Sequence, residues 1–550
     1  MAASQPLATP PIPKRRCGPT TPFRGGIAYT KQVSLGSCQA VDKPEAVEGG
    51  RQGERMHTIQ FSLAGIDHDA SRAARVAYLT SLEGIPWPCQ IELHGDFLKL
   101  RREVGDSGKL TILWPTRTLG PVALTTATLR VQQDPYDLPL ELARGTLVRV
   151  RNREAEWAPF GIDAGKPFDQ RIEMAVEALL DCIIAPRFSK TSAQHAQRSI
   201  ELTLQAQLLL MDQMTAQMST STMPPATSNA PVVGFRISNS TNWQPLADLT
   251  KAHNQLAFVE IPWGSDSSSQ WEKGLREAGE KIEWCNRHRI PCAVGPLMSL
   301  QNQGIPPWMY LMEDYPSVVE LSLERMKRIV HTFAGKVQLW HVLSGVNASN
   351  QLHWDDQQLL QFIVHAFQLV HQLSPNLPLL LSVDQPWAEY LASRQTAYSP
   401  LHLADALLRA NLGITAIGLE MNLDAWPGGS LPRDPLDISD LIDQWSMLGV
   451  PLVGFLAASH HGGKDPGAFA QVEVPSLWLN ARTPSPDPSA LSKRRELWIA
   501  SAWNTLRAKG NLHALVWNQI DDHAPHFLPN AGGFDSSGKV RFPFLLPKNR

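Results

Sequence analysis

The chain of 550 residues carries 50 basic and 52 acidic side chains, a formal net charge of −2, so no global bias points to nucleic acid or an anionic membrane surface. Hydrophobic residues make up 43% and charged residues 19%, a globular balance. The length suits roughly two to four domains, or one large barrel with an appendage. The longest apolar runs, such as Leu377 to Leu381, fall far short of a bilayer span and exclude a helical membrane protein.

Residues 1–55 hold Lys14, Arg15 and Arg16, but no apolar stretch follows them. They do not read as a secretory leader. The expectation is a flexible tail or an overcalled start, and a cytoplasmic protein unless the true start lies elsewhere. Six scattered cysteines (Cys17, Cys38, Cys89, Cys182, Cys285, Cys292) contain no Cys-x-x-Cys pair, which excludes a disulfide scaffold and a zinc ribbon. Cys285 and Cys292 read as small core hydrophobes.

Residues 56–160 alternate short apolar runs with Gly, Pro and Asp. Gln90–Leu93, Leu98–Leu100, Leu110–Trp114 and Leu147–Arg151 predict short strands of a β-sandwich or small barrel, a candidate carbohydrate-binding module. Arg149, Arg151 and Arg153 would mark one side of the last strand, in surface ion pairs with Glu154 and Glu156. Over 161–218 the period becomes helical. Ile172, Ala175, Val176, Leu179 and Leu180 form one helix that Pro186 breaks, and Ile200, Leu204, Leu208, Leu209 and Met211 form a second. Met211, Met214 and Met218 are expected to pack between helices. Residues 219–231, rich in Ser, Thr and Pro, predict a linker.

From 232 to 550 eight β-like runs begin near Val232, Gln255, Ile290, Val337, Leu377, Ile414, Val450 and Leu512. Amphipathic helices separate most of them, among them one opened by Pro316 and followed by Gly335, one over 355–373, and one over 489–509 closed by Gly510. Lys493, Arg494 and Arg495 on that last helix are expected to face solvent. Eight βα units predict a (β/α)8 barrel behind a β-rich domain and a helical connector. No Gly-x-Gly-x-x-Gly or Walker loop supports the alternative doubly wound sheet.

Barrel chemistry sits at the C-terminal ends of the strands. Those ends carry Glu260 and Trp263, His341, Asp384 and Trp387, Glu420 and Asn422, His460 and His461, and Trp517 and Asp521. Fourteen of the 17 tryptophans follow residue 231. Most are core anchors, but Trp263, Trp387, Trp517 and Trp308 stand where a flat ring can stack on a pyranose.

The barrel resembles glycoside hydrolase family 10, typified by endo-β-1,4-xylanases, over roughly residues 235–547. Gly295-Pro296-Leu297 with Ile305-Pro306-Pro307-Trp308 resembles the family's strand-3 segment, and Trp340 to Val346 its strand-4 Trp-Asp-Val-Val-Asn-Glu-Ala. Ile417 to Asn422 is similar to Ile-Gly-x-Gln-x-His on strand 6. Trp517 to Asp521 and Gly533 to Lys539 are similar to the closing Trp-Gly-x-x-Asp and Leu-Phe-Asp-x-x-Gly-Lys. The resemblance implies a β-linked, xylan-like poly- or oligosaccharide ligand, with Asn422 and Asp521 among its contacts.

Both family carboxylates are missing. The strand-4 acid is matched by Gly345, its Asn neighbour by Ser344, and the strand-7 nucleophile segment by Gly454-Phe455-Leu456-Ala457-Ala458. Glycosidases ordinarily flank the bond with two carboxyl groups, about 5–5.5 Å apart for retention and roughly 6.5–9.5 Å for inversion. The sequence therefore predicts a divergent hydrolase with relocated catalysis, Glu420 paired with Asp384 or Glu260 and tuned by His341. The alternative is a glycan-binding barrel that does not cleave. A further alternative gathers His341, His460, His461 and Glu420 or Asp384 around a metal. No cofactor, metal or nucleic-acid partner is expected on the first reading.

Overall fold

The computed structural model describes residues 56–541 except 67–69, 221–229, 239–240, 242–254, 264–267, 302–304, 313, 349–351, 395–397, 462–464, 471–487 and 524. The expected tail over 1–55 and most of the expected linker lie outside the described residues. Residues 55–550 form one compact unit.

Its first part holds strands β1 (His57–Ser62), β2 (Tyr78–Thr80), β3 (Pro86–Trp87), β4 (Gln90–His94), β5 (Phe97–Arg102), β6 (Lys109–Trp114), β7 (Val122–Thr125) and β8 (Tyr136–Asp137), with helix α1 (Ala70–Arg75) between the first two. They make two four-stranded sheets, ordered β4-β5-β1-β8 and β3-β2-β6-β7. Three of the four expected strands are present.

The fourth is a helix. Leu147–Arg151 lies inside α2 (Leu138–Trp157), where Asp137 caps the N-terminus and Pro139 sits in the first turn. The buried residues Leu138, Leu142, Ala143, Leu147 and Val150 recur at helical spacing. The Val-Arg-Val-Arg alternation was a window too short to show that period. Two further helices follow, α3 (Gly165–Ile184) and α4 (Lys190–Thr220), broken at Pro186 as the sequence predicts. Met211 and Met214 are buried between them and the barrel's Leu436.

The barrel strands are β9 (Val232–Ile237), β10 (Gln255–Val259), β11 (Cys292–Val294) with β12 (Met298–Ser299), β13 (Leu339–Ser344), β14 (Leu379–Asp384), β15 (Ile414–Leu423), β16 (Leu452–Ala458) and β17 (Leu512–Trp517). The barrel pairings are parallel, and β17 closes onto β9. Because β11 and β12 share the third position beside β13, the sheet is an eight-stave (β/α)8 barrel. Between the staves lie α5 (Ser268–Arg287), α6 (Tyr315–Phe333), α7 (Asp356–Leu373), α8 (Pro400–Arg409), α9 (Pro435–Ser446) and α10 (Pro488–Ala508). Among the described residues no helix is long and apolar enough to cross a membrane.

Period two decides what each stave offers the interior. Val232, Leu256, Phe258, Leu380, Ala416, Val453, Phe455, Ala514 and Val516 form the inner plug. The intervening residues, such as Phe235, Ile417, Leu456 and Trp517, pack outward against the helices. Gly418 is required here, since a Cβ would stand 2.9 Å from the Phe455 ring and 2.7 Å from Ser382 Cβ.

Arg151 is exposed as expected, but two of the arginines expected at the surface, Arg149 and Arg153, tie the helices to the barrel. Arg149 pairs with Asp434, which is fully buried, and Arg153 reaches Asp440 as well as Glu156. Arg495, expected in solvent, is buried against Asp424 and the Ser459 carbonyl. Asp434 also accepts from Gln207 Nε2 at 2.8 Å and from Asp437 N at 2.9 Å, capping α9. Asp434→Ala should cost about 3 kcal/mol, because it strands a guanidinium and removes a cap together. A lowered urea midpoint, with a smaller loss in Asp434→Asn, is the expected result; an unchanged midpoint would show the pair to be idle.

Candidate functional site

A cleft of about 540 Å³ opens at the C-terminal ends of the staves. Its polar lining comes from positions that continue the inward parity of their strands: Arg236 from β9, Glu260 just past β10, Glu420 and Asn422 from β15, and Asn518 just past β17. Trp263, Phe469 and Phe527 supply aromatic surface.

Arg236 is the hub. Its Nη2 donates to Glu420 Oε1 at 2.8 Å, and its Nε stands 3.7 Å from Glu260 Oε1. The guanidinium lies over the Phe455 ring, 4.5 Å from the centroid. Burial alone disfavours the cation, but Glu420 and Glu260 hold its pKa above the ordinary value. Asn518 Nδ2 donates to the other Glu420 oxygen at 2.8 Å and to Asn422 Oδ1 at 2.9 Å. Glu420, at 1% exposure, is therefore not the solvated edge charge that a lone strand-end acid suggests.

Glu260 differs. About a third of its side chain is open (35%), yet the cleft walls desolvate it and push its pKa up; Arg236 opposes that shift and the Glu420 charge adds to it. Asp384 is level with Glu420 across the β14–β15 ladder. It lies behind Gln301, whose Nε2 donates to its Oδ1 at 2.6 Å, and it does not line the cleft. Burial, then the Glu420 charge, raises its pKa to about 7.

The remaining expected residues divide. Trp263, Asn422 and Asp521 line the cleft, and Trp263 Nε1 is bound to the Leu297 carbonyl. Trp517 does not, because its parity turns it outward onto Trp503, 5.9 Å between ring centroids, with Nε1 on the Ala531 carbonyl at 3.1 Å. Trp387 packs beside Arg433, 5.0 Å from its guanidinium carbon, outside the lining. The Trp308 side chain lies outside the described residues. His341 is sealed in the interior, stacked on Phe455 at 5.7 Å and bonded through Nε2 to Ser382 Oγ at 2.8 Å. Burial holds its pKa well below 6.5. It does not line the cleft, and among the described residues it belongs to no group placed to hold a metal with His460 and His461.

One group among the described residues has metal-ligand types close together: Asp465, Asp522 and His526. Apart from His526 Nδ1, which has no hydrogen-bond partner, most of its polar atoms are already engaged. His526 Nε2 bonds Asp465 at 2.9 Å, Asp522 pairs with Arg541, and Gln519 and Gly532 donate to its other oxygen.

Neither Gly345 nor the Gly454-to-Ala458 segment, the matches that the resemblance suggests for the two carboxylates, holds an acid. Gly345 has φ +71°, and a Cβ there would stand 2.7 Å from the Gln301 backbone nitrogen. Phe455 belongs to the inner plug. Arg236, Gln301 and Asn518 are the residues the sequence reading passed over. Continuing the inward parity of β9 and β17 finds two of them.

No protein-family model matches the chain, and no curated protein matches it. Solved structures similar to it include xylanases, several of them described as family 10 enzymes. Native xylanase 10B from Thermotoga maritima shows 12% identity over 57% of this chain and 92% of that one, TM-score 0.40. The family 10 enzyme from Paenibacillus barcinonensis shows 17% over 58% and 96%, TM-score 0.41. The intracellular xylanase TsXylA from Thermoanaerobacterium saccharolyticum shows 17% over 58% and 97%, TM-score 0.40.

The Asp384 carboxyl holds its proton more tightly in the folded chain, its pKa rising from 3.8 to about 7. Its contribution to stability is therefore present at low pH and is lost as pH rises toward 7. Asp384→Asn, which mimics the protonated form and keeps an acceptor for Gln301, should melt higher than the parent. The gap should widen from pH 5 to pH 7 and then level. A gap independent of pH would contradict the assignment.

Proposed function

We propose that this chain is a divergent glycoside hydrolase-like protein acting on a β-linked oligosaccharide through Glu260 and Glu420 in place of the family's strand-4 and strand-7 carboxylates. The observation that carries this reading is that both acids line one cleft and share one guanidinium in unlike settings. Unlike settings are what separate an acid from a base in a carboxylate pair. Glu260, open to the cleft and with its pKa raised, is suited to give a proton to the leaving glycosidic oxygen. Glu420, oriented by Arg236 and Asn518, is suited to attack the anomeric carbon or to draw a proton from water. Trp263 and the Phe469 and Phe527 rings offer apolar faces for a pyranose, and Asn422, Gln301 and Asn518 offer amides for its hydroxyls. Asp384 and His341 stand outside the reaction.

Binding without cleavage is the second reading. It is favoured by one observation: both Glu420 oxygens are already occupied, one by a cation and one by an amide.

Hydrolysis of aryl β-glycosides and β-1,4-oligosaccharides separates the two. Glu260→Gln and Glu420→Gln should each lower turnover by about 10²- to 10⁴-fold, the usual scale for a lost acid, base or nucleophile. Asp384→Asn should stay within about tenfold of the parent. Absence of turnover in the parent, with oligosaccharide binding weakened by Trp263→Ala, would establish the binding reading.

A further inference from the structure

Trp263 brings an indole to the cleft wall, and that indole is the inner end of a stack. Arg325, from α6, sets its guanidinium carbon over the Trp263 ring, 5.5 Å from the centroid. The same guanidinium lies over a second indole, Trp271 of α5, at 5.1 Å. Trp271 in turn carries Arg328 at 4.9 Å, and Arg328 pairs with Glu272. Ring, cation, ring, cation and carboxylate thus alternate from the cleft outward. The two rings are buried, at 4% and 5% exposure, whereas Arg328 is half open to solvent.

The spacing of the two arginines makes this possible, since residues three apart on α6 share one face. A planar guanidinium can lie against two rings at once, and an ammonium does this less well. Burial lowers the Arg325 pKa, yet a guanidinium keeps its charge inside proteins. The attraction between a cation and a ring is strongest where both are shielded from water, as the two indoles here are. Trp263 is also held by its edge, because Nε1 donates to the Leu297 carbonyl. Edge and face are therefore both fixed. A ring fixed before the ligand arrives adds no ordering cost to binding. Bolting α5 to α6 needs Trp271 alone; the reach of Arg325 onto Trp263 carries the stack to the cleft.

We propose that Arg325 is a positioning residue of the cleft, acting through Trp263 to hold the indole ready for a pyranose, an assignment that rests on the reading of the cleft as a glycan site.

Calorimetric titration of xylotetraose and cellotetraose into the full chain tests this, in a Glu420→Gln background so that no ligand is consumed. Arg325→Met, which fills similar space without charge, should weaken the tighter probe about threefold to tenfold. Arg325→Lys, which keeps a cation, should recover part of that loss. In a Trp263→Ala chain, Arg325→Met should change affinity less than about twofold, because the ring it acts through is gone. Arg328→Met, one ring further out, is the control for loosened helices and should leave affinity within about twofold. A melt on each variant guards against misfolding. Equal affinity with and without Arg325, or a loss that persists in full without Trp263, would overturn the positioning role and leave the glycan cleft standing. Failure of both probes to bind the background chain would overturn the glycan reading and this inference with it.

Discussion

One guanidinium organises the mouth of this barrel. Arg236 reaches inward from the first stave, rests on the Phe455 ring, and holds Glu420 on one side and Glu260 on the other. Without it, two carboxylates and the nearby Asp384 would face one another in a desolvated pocket, an arrangement that favours protonation or local collapse over an open cleft. The cation lets the acids coexist, and their unequal distances from it make them chemically different. The Phe455 ring beneath occupies part of the strand-7 segment where the resembling family carries its nucleophile.

The first part of the chain contributes to that mouth at a distance. Tyr78 of β2 accepts from Arg433 Nη2 at 2.6 Å, and Arg433 also pairs with Glu389 in the turn after β14. Glu389 in turn accepts from Leu431 N at 3.0 Å. All three side chains are buried. The loops that follow β14 and β15, and thus Asp384 and Asn422 at their roots, are held by an ionic network that begins in an N-terminal sheet. Stranding any one of these charges would leave its partners without water or counter-ion. The sheet that holds β2 is built into the barrel's frame.

Much of the fold was legible because it follows periods. The eight strand starts lie within two residues of their observed positions, since buried parallel staves are short apolar runs between capped amphipathic helices. The Leu147–Arg151 segment misled because five residues can satisfy period two inside a helix whose true stripe needs a longer window. The site was half legible. Glu260, Glu420, Asn422, Trp263 and Asp521 converge as their strand-end positions suggest. Trp517 and His341 do not, for one reason: side-chain direction and depth decide access, and residue type does not. Trp517 is out of phase with the interior, whereas Asn518 beside it is in phase. His341 is in phase but lies below the rim, under Arg236. Arg236 itself carried no recognisable motif, and only the parity of β9 points to it.

The account stands on Glu260 and Glu420 flanking the reacting part of a bound sugar, and a crystal structure of the Glu420→Gln variant soaked with an intact β-1,4 oligosaccharide tests it most directly. The expected density places a pyranose against Trp263 and the Phe469–Phe527 rings, with a glycosidic oxygen within hydrogen-bond reach of Glu260 and an anomeric carbon facing residue 420. Sugar bound on the N-terminal sheets, or in the cleft with both positions remote from any glycosidic bond, would contradict it.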